Sequence, residues 1–185
     1  AESLLEGASG DLDQKVRYNL AMIVTSGKRL ASLVDDLLDF AKLKSKGLTL
    51  RRKALDLQML VDVVVGISQP LVAKKPVQLI NRVQPDLPPV FADEDRLIQI
   101  FHNLIGNAAK FTDRGSIQVN AEVDGDLMWV HVTDTGIGIP SDKLDTIFES
   151  FQQVEGSSER VVGGAGLGLS ITRKLVELHG GEIKV

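Results

Sequence analysis

The chain has no cysteine in its 185 residues, which excludes disulfides, thiolate metal sites and a cysteine nucleophile, and fits a reducing compartment. It has no uninterrupted run of about 18 apolar residues, so nothing reads as a transmembrane span, and Ala1 does not open a signal peptide. Basic residues are not massed anywhere: 21 Lys and Arg stand against 25 Asp and Glu, a net charge of -4. That balance lacks the footprint of a nucleic-acid binder, so nucleic acid is not an expected partner. No G-x-x-x-x-G-K-[ST] occurs and no G-x-G-x-x-G follows an early strand, so neither the P-loop nor the dinucleotide fold explains the glycines. What is there is 43% apolar and 25% charged. This suffices for one good core and a smaller appendage, although the chain reads as a fragment.

Residues 12 to 46 form the longest regular pattern, with Val16, Leu20, Ile23, Gly27, Leu30, Val34, Leu37 and Ala41 alternately four and three apart. That heptad seam predicts a helix of about 35 residues, roughly 50 Å long. Asp11 with Gln14 reads as a capping box, and Gly47 as the left-handed cap after the last turn. A seam of this length exceeds what a small domain can cover, so a helical hairpin is expected, paired with a second subunit. Glu2 to Leu5 reads as the end of the hairpin's first arm. From Leu48 the period changes to an α/β pattern. Strands are expected at Leu48 to Arg52, Val77 to Val83, Ser116 to Val123, Leu127 to Thr133 and Glu182 to Val185. Helices are expected at Leu57 to Ala73, Asp93 to Phe111 and Leu167 to His179. Residues 124 to 126 form a hairpin turn, and Pro85, Pro88 and Pro89 a loop.

The chemistry sits in three stretches. On the second helix, Leu97, Ile100, Leu104, Ala108 and Phe111 are spaced to face the core. Asn103, Asn107 and Lys110 share another face, where an amide oxygen can ligate Mg²⁺ and an ammonium can reach phosphate. DTGIGIP, from Asp134 to Pro140, follows a strand; the Asp can read an adenine amine, and Gly136 and Gly138 let backbone approach a ligand. GGAGLGLS, from Gly163 to Ser170, opens a helix whose N–H groups favour anions. Each stretch alone has a plain alternative: a solvated face, an Asp turn, a flexible loop. In this order they describe a purine triphosphate pocket.

These residues resemble the catalytic half of sensor histidine kinases, with their GHKL-type (gyrase, Hsp90, histidine kinase, MutL) ATP-binding domain. RLIQIFHNLIGNAAKFT is similar to the family's N box, DTGIGIP to its G1 box, IFESF to its F box and GGAGLGLSI to its G2 box. SGKRLASLVDDLLDFAKL resembles the second helix of the dimerisation and phosphotransfer domain. The resemblance implies an α+β fold, a two-layer α/β sandwich of the GHKL (Bergerat) type preceded by a long helix of a dimerising hairpin. Residues 1–47 would then be the partial hairpin and 48–185 the ATP-binding catalytic domain.

The resemblance further implies ATP and Mg²⁺ as cofactors and Asn103, Asn107 and Lys110 as catalytic, nucleotide-contacting residues, with Asn107 on the metal and Lys110 on phosphate. Phe111 would line the purine pocket, Asp134 bind the adenine amine, and Gly136, Gly138 and Ile139 shape that wall. Gly164, Gly166, Leu167 and Gly168 would close onto the phosphates, and Gln153 would reach the terminal one. Asn103 stands where hydrolytic relatives carry a Glu; an amide is no general base, which favours transfer to a protein acceptor over hydrolysis. Implied partners are a response-regulator receiver domain and a second copy of the hairpin. A cytoplasmic location is implied, with no direct membrane contact by this stretch. No His precedes residue 102, so the acceptor His is expected upstream of Ala1; His102, His131 and His179 read as structural. The chain stops before the glycine-containing strand that usually ends such domains. A signalling module with degenerate kinase activity, another GHKL ATPase and a serine-directed kinase remain the alternatives.

Overall fold

The structure is a computed structural model that describes residues 1–5, 12–44, 48–150 and 166–185. Its contacts divide the chain into two units, Ala1–Lys46 and Gly47–Val185.

In the first unit, α1 (Glu2–Leu5) packs on α2 (Gln14–Lys44), a helix of 31 residues. Asp13 Oδ1 accepts from the Lys15 N–H at 3.1 Å, and a 2.6 Å ion pair between Glu2 and Lys28 ties α1 to α2. The Asp11 capping box and the Gly47 cap lie outside the described residues. Along the seam Val16, Ile23, Leu30, Val34 and Leu37 are all exposed. α1 is one turn long and cannot cover them.

The second unit is built on a mixed three-stranded sheet. β2 (Val77–Asn81) runs parallel to β4 (Gly115–Asp124), which pairs antiparallel with β5 (Leu127–Asp134) from Ile117↔Asp134 to Asp124↔Leu127. Gly125, at φ +59, turns that hairpin where only a residue tolerant of left-handed backbone fits. A separate antiparallel pair joins β1 (Lys53–Leu55) to β3 (Val90–Ala92). Helices α3 (Leu57–Val72) and α4 (Glu94–Phe111) bury Val61, Val64, Phe101 and Ile105 in one core with Ile117 and Val119 of the sheet. α5 (Gly168–His179) packs on α4 and buries Leu167, Ile171 and Leu175. The two-layer α/β expectation holds, and neither sheet is closed.

Three expectations need correction. Pairing of the first strand begins at Lys53 rather than Leu48, because the Arg51 N–H donates to the Asp93 carboxylate at 2.7 Å instead of to a ladder. Its partner, Val90–Ala92, lies in the stretch read as a loop; three residues behind two prolines are too few to show an alternation. Glu182 to Val185 forms no ladder among the described residues, although Lys184 lies over the Trp129 ring at 5.0 Å.

Candidate functional site

α4 is the beam of the site. At its start Asp93 is the N-cap, its carboxylate accepting from the Arg96 N–H at 3.2 Å as well as from Arg51. Burial would raise this carboxyl, but the Arg51 and Arg96 amides and the nearby charge of Arg96 outweigh it and hold it below the ordinary aspartate range. The Asp93 N–H donates in turn to His179 Nε2 at 3.1 Å, and His179 Nδ1 lies 2.8 Å from the Leu175 carbonyl. A backbone N–H can only donate and a carbonyl only accept, so the proton sits on Nδ1. Arg52 adds a 2.7 Å bond to the Leu178 carbonyl. The start of α4 and the end of α5 are thereby tied together.

At the other end of α4, Lys75 Nζ donates to the carbonyls of Ala109 at 2.8 Å and Thr112 at 3.0 Å, and pairs with Asp113 at 3.3 Å. A cation there complements the helix dipole. Lys110 has no carboxylate partner among the described residues; its ammonium lies 4.8 Å from the centre of the Phe111 ring. Ile100 and Ala108 are buried as expected, with Leu97 and Leu104 partly so, whereas Phe111 is 38% exposed. The core face of α4 is instead completed by Phe101, Ile105 and Ala109. A ring at the rim is free to contact a ligand; a ring in the core is not.

Asn107 is half-buried one turn before Phe111, and its side chain makes no hydrogen bond among the described residues. Asn103 differs: its amide nitrogen lies 3.3 Å from the Gly168 carbonyl and 3.4 Å from Thr172 Oγ1, both on α5.

Asp134 ends β5 beside the end of α4. Its Oδ1 accepts from the Gly136 N–H at 2.8 Å and lies 3.5 Å from the hydroxyl of buried Thr112; Oδ2 has no partner among the described residues. Gly136 is required sterically, because a Cβ there would lie 2.5 Å from the Phe111 carbonyl oxygen and 2.9 Å from Thr112 Oγ1. The Ile137 N–H then donates to that carbonyl at 3.3 Å. Gly138 turns at φ +72 with open space around it, and Ile139 is 42% exposed. Across the site Gly166, at φ +68, leads into α5, where Leu167 is buried and no side chain caps the first turn. Gln153, Gly163 and Gly164 lie outside the described residues.

Thus Asn103, Asn107, Lys110 and Phe111 share α4, Asp134 and Gly136 dock at its end, and Gly168 docks at Asn103. Sequence reasoning missed Thr112 and Thr172, both fully buried. A threonine carries no periodic signal of its own, and only the packing reveals each as a partner of a site residue. No group of three or more His, Cys, Asp or Glu is placed to hold a metal among the described residues.

The sequence profile of histidine kinase-, DNA gyrase B- and HSP90-like ATPases matches residues 92–185. The chain belongs to this family. Among curated proteins it is 36% identical over 180 residues to the autoinducer 2 sensor kinase/phosphatase LuxQ of Vibrio harveyi, covering 93% of this chain and 21% of LuxQ. It is 35% identical to the sensor histidine kinase RcsC of Escherichia coli, across 98% of this chain and 20% of RcsC. The chain thus spans about a fifth of the length of these relatives. Among solved structures, full-length ShkA in complex with AMPPNP matches with a TM-score of 0.80 at 34% identity, over 94% of this chain and 36% of that one. The catalytic domain of histidine kinase ThkA matches at 0.57 and 27%, over 69% and 80%. Family membership and fold rest on these likenesses, and no described helix is long and apolar enough to cross a membrane.

Proposed function

We propose that this chain is the ATP-binding, phosphoryl-donating part of a two-component sensor histidine kinase. The observation that carries the reading is Asp134. One carboxylate oxygen is pinned by Gly136 and Thr112, and the other has no partner among the described residues, at the end of α4 where the Phe111 side chain is partly exposed. A fixed acceptor suits the exocyclic amine of adenine, which guanine does not present there. Gly138 and Ile139 form the outer wall.

Toward the phosphates, the Asn107 amide has a carbonyl oxygen to spare and Lys110 an ammonium with no carboxylate partner. These residues fit Mg²⁺ carried in with the nucleotide: one side-chain oxygen suffices when phosphates and water complete the shell. Bound there, Mg²⁺ supplies charge neutralisation of the phosphates. Lys110 and the uncapped first turn of α5, with Gly166, Leu167 and Gly168, hold the rest of the triphosphate. In the transfer an imidazole nitrogen attacks the terminal phosphorus, the bond to the bridging oxygen breaks, ADP leaves and the imidazole loses its proton. Asn103 offers no base to activate water, which disfavours hydrolysis.

None of this chain's histidines is the acceptor. His179 is engaged through both nitrogens, His131 lies 3.2 Å from Glu122, and His102 Nδ1 lies 3.3 Å from the Ser68 hydroxyl. The acceptor belongs to a helix that packs on the exposed seam of α2, and a response-regulator aspartate receives the phosphate next. The 1–47 and 48–185 division assigns the hairpin and the donor domain accordingly, with a cytoplasmic setting. Calorimetric titration with a non-hydrolysable ATP analogue, with and without Mg²⁺ and against the GTP analogue, tests the site. Magnesium-assisted, adenine-selective binding supports it; no binding at millimolar nucleotide sinks it. A separately supplied hairpin should acquire acid-labile phosphate on His.

A further inference from the structure

We infer that Asn103 is a positioning residue, acting through the first turn of α5 rather than on the nucleotide itself; this rests on the reading of that turn as the phosphate-binding end. Its amide nitrogen has two N–H donors, and two acceptors of α5 lie within reach: the Gly168 carbonyl at 3.3 Å and Thr172 Oγ1 at 3.4 Å. With both donors engaged, the amide presents only an oxygen, and an oxygen does not bind phosphate. Thr172 is completely buried, and Asn103 is the one hydrogen-bond partner its hydroxyl has among the described residues. A buried hydroxyl is costly to leave unpaired, so the pair favours one register of α5 on α4 over its neighbours.

That register matters because Gly168 is the first residue of α5 and the first turn carries no side-chain cap. The amides that would meet the phosphates therefore point where Asn103 holds the helix. The fit is close without being strained: a Cβ on Gly168 would lie 3.7 Å from the Asn103 side chain. Asn107, one turn along and free of such bonds, keeps its amide for the ligand.

The test uses Thr172, which is too deeply buried to touch nucleotide. Thr172→Val keeps the shape and removes the hydroxyl. It is expected to weaken AMP-PNP binding by this chain about three- to tenfold, the range of one hydrogen bond, while leaving adenosine affinity, read by NMR titration, unchanged. Thr172→Ser should restore AMP-PNP affinity to within about twofold of the parent chain, because the bond returns. Asn103→Ala with Thr172→Val should bind no more weakly than Asn103→Ala alone. Thr172→Ala replaces the valine variant if that one does not fold. Unchanged AMP-PNP affinity in Thr172→Val, an equal loss for adenosine, or multiplying effects in the double variant would overturn the inference. If the parent chain itself binds no AMP-PNP at millimolar concentration, the proposed function fails first and takes this inference with it.

Discussion

Helices α2 and α4 both carry apolar residues at helical spacing, yet they use them in opposite ways. On α4, Phe101, Ile105, Ala108 and Ala109 vanish into a core shared with α3 and the sheet, and Ile105 has no exposed surface. On α2, Leu30 is 62% exposed and Ile23 60%, with no described neighbour to cover them. α4 is finished by its own chain. The seam of α2 is left uncovered by the described residues. An amphipathic period therefore says that a face will be buried, without saying whether the chain itself supplies the cover.

The sharpest way to break this contrast is to cut both helices alike. Ile105→Ala should cost about 2–5 kcal/mol in a denaturant melt, from lost burial and the cavity left behind. Leu30→Ala should change the unfolding of the isolated chain by less than about 0.5 kcal/mol. If instead both changes cost the same, α2 is covered by its own chain and the seam is misread.

The ends of α4 sharpen the comparison at smaller energies. Asp134→Asn is expected to weaken binding of the ATP analogue at least about tenfold, about 1.4 kcal/mol, with the melt unchanged, since Asp134 is exposed and outside the core. Calorimetry showing parental affinity would remove Asp134 from the site. Asn107→Ala should make that binding insensitive to Mg²⁺, and retained magnesium dependence would place the ligand elsewhere.

At the opposite end, Asp93→Asn should cost about 1 kcal/mol at pH 7, because the charged cap is lost while an Asn can still accept one bond. The folded-state pKa of Asp93 lies below its unfolded value, so its contribution is present above the ordinary aspartate range and is lost as pH falls through the folded value. The gap between parent and variant should therefore close below about pH 4. A gap that stays constant into acid would mean that the carboxylate charge contributes nothing. The smallest effect is expected on α2: Ile23→Ala should leave the isolated chain's melt within about 0.5 kcal/mol and shift only its self-association, measured by sedimentation.

Much of this fold is legible in the sequence, for local reasons. The helices at 57–72, 94–111 and 168–179 follow from period, the hairpin at 124–127 from its Gly-Asp turn, and the four boxes from residue types whose backbone freedom or charge is itself the signal. The family followed from those boxes. What stayed hidden depends on residues far apart in the chain. The pairing of Lys53–Leu55 with Val90–Ala92, the bond from Arg51 to Asp93 and the Thr112 contact to Asp134 join segments that carry no mutual signature. Asn103 and Asn107 look equivalent as sequence, two asparagines one turn apart on one face. Only the packing of α5 engages the donors of one and leaves the other unbonded, because hydrogen-bond capacity is a property of the neighbour that arrives. The sequence determined which groups could serve a triphosphate; the tertiary structure decided which are still available to do so.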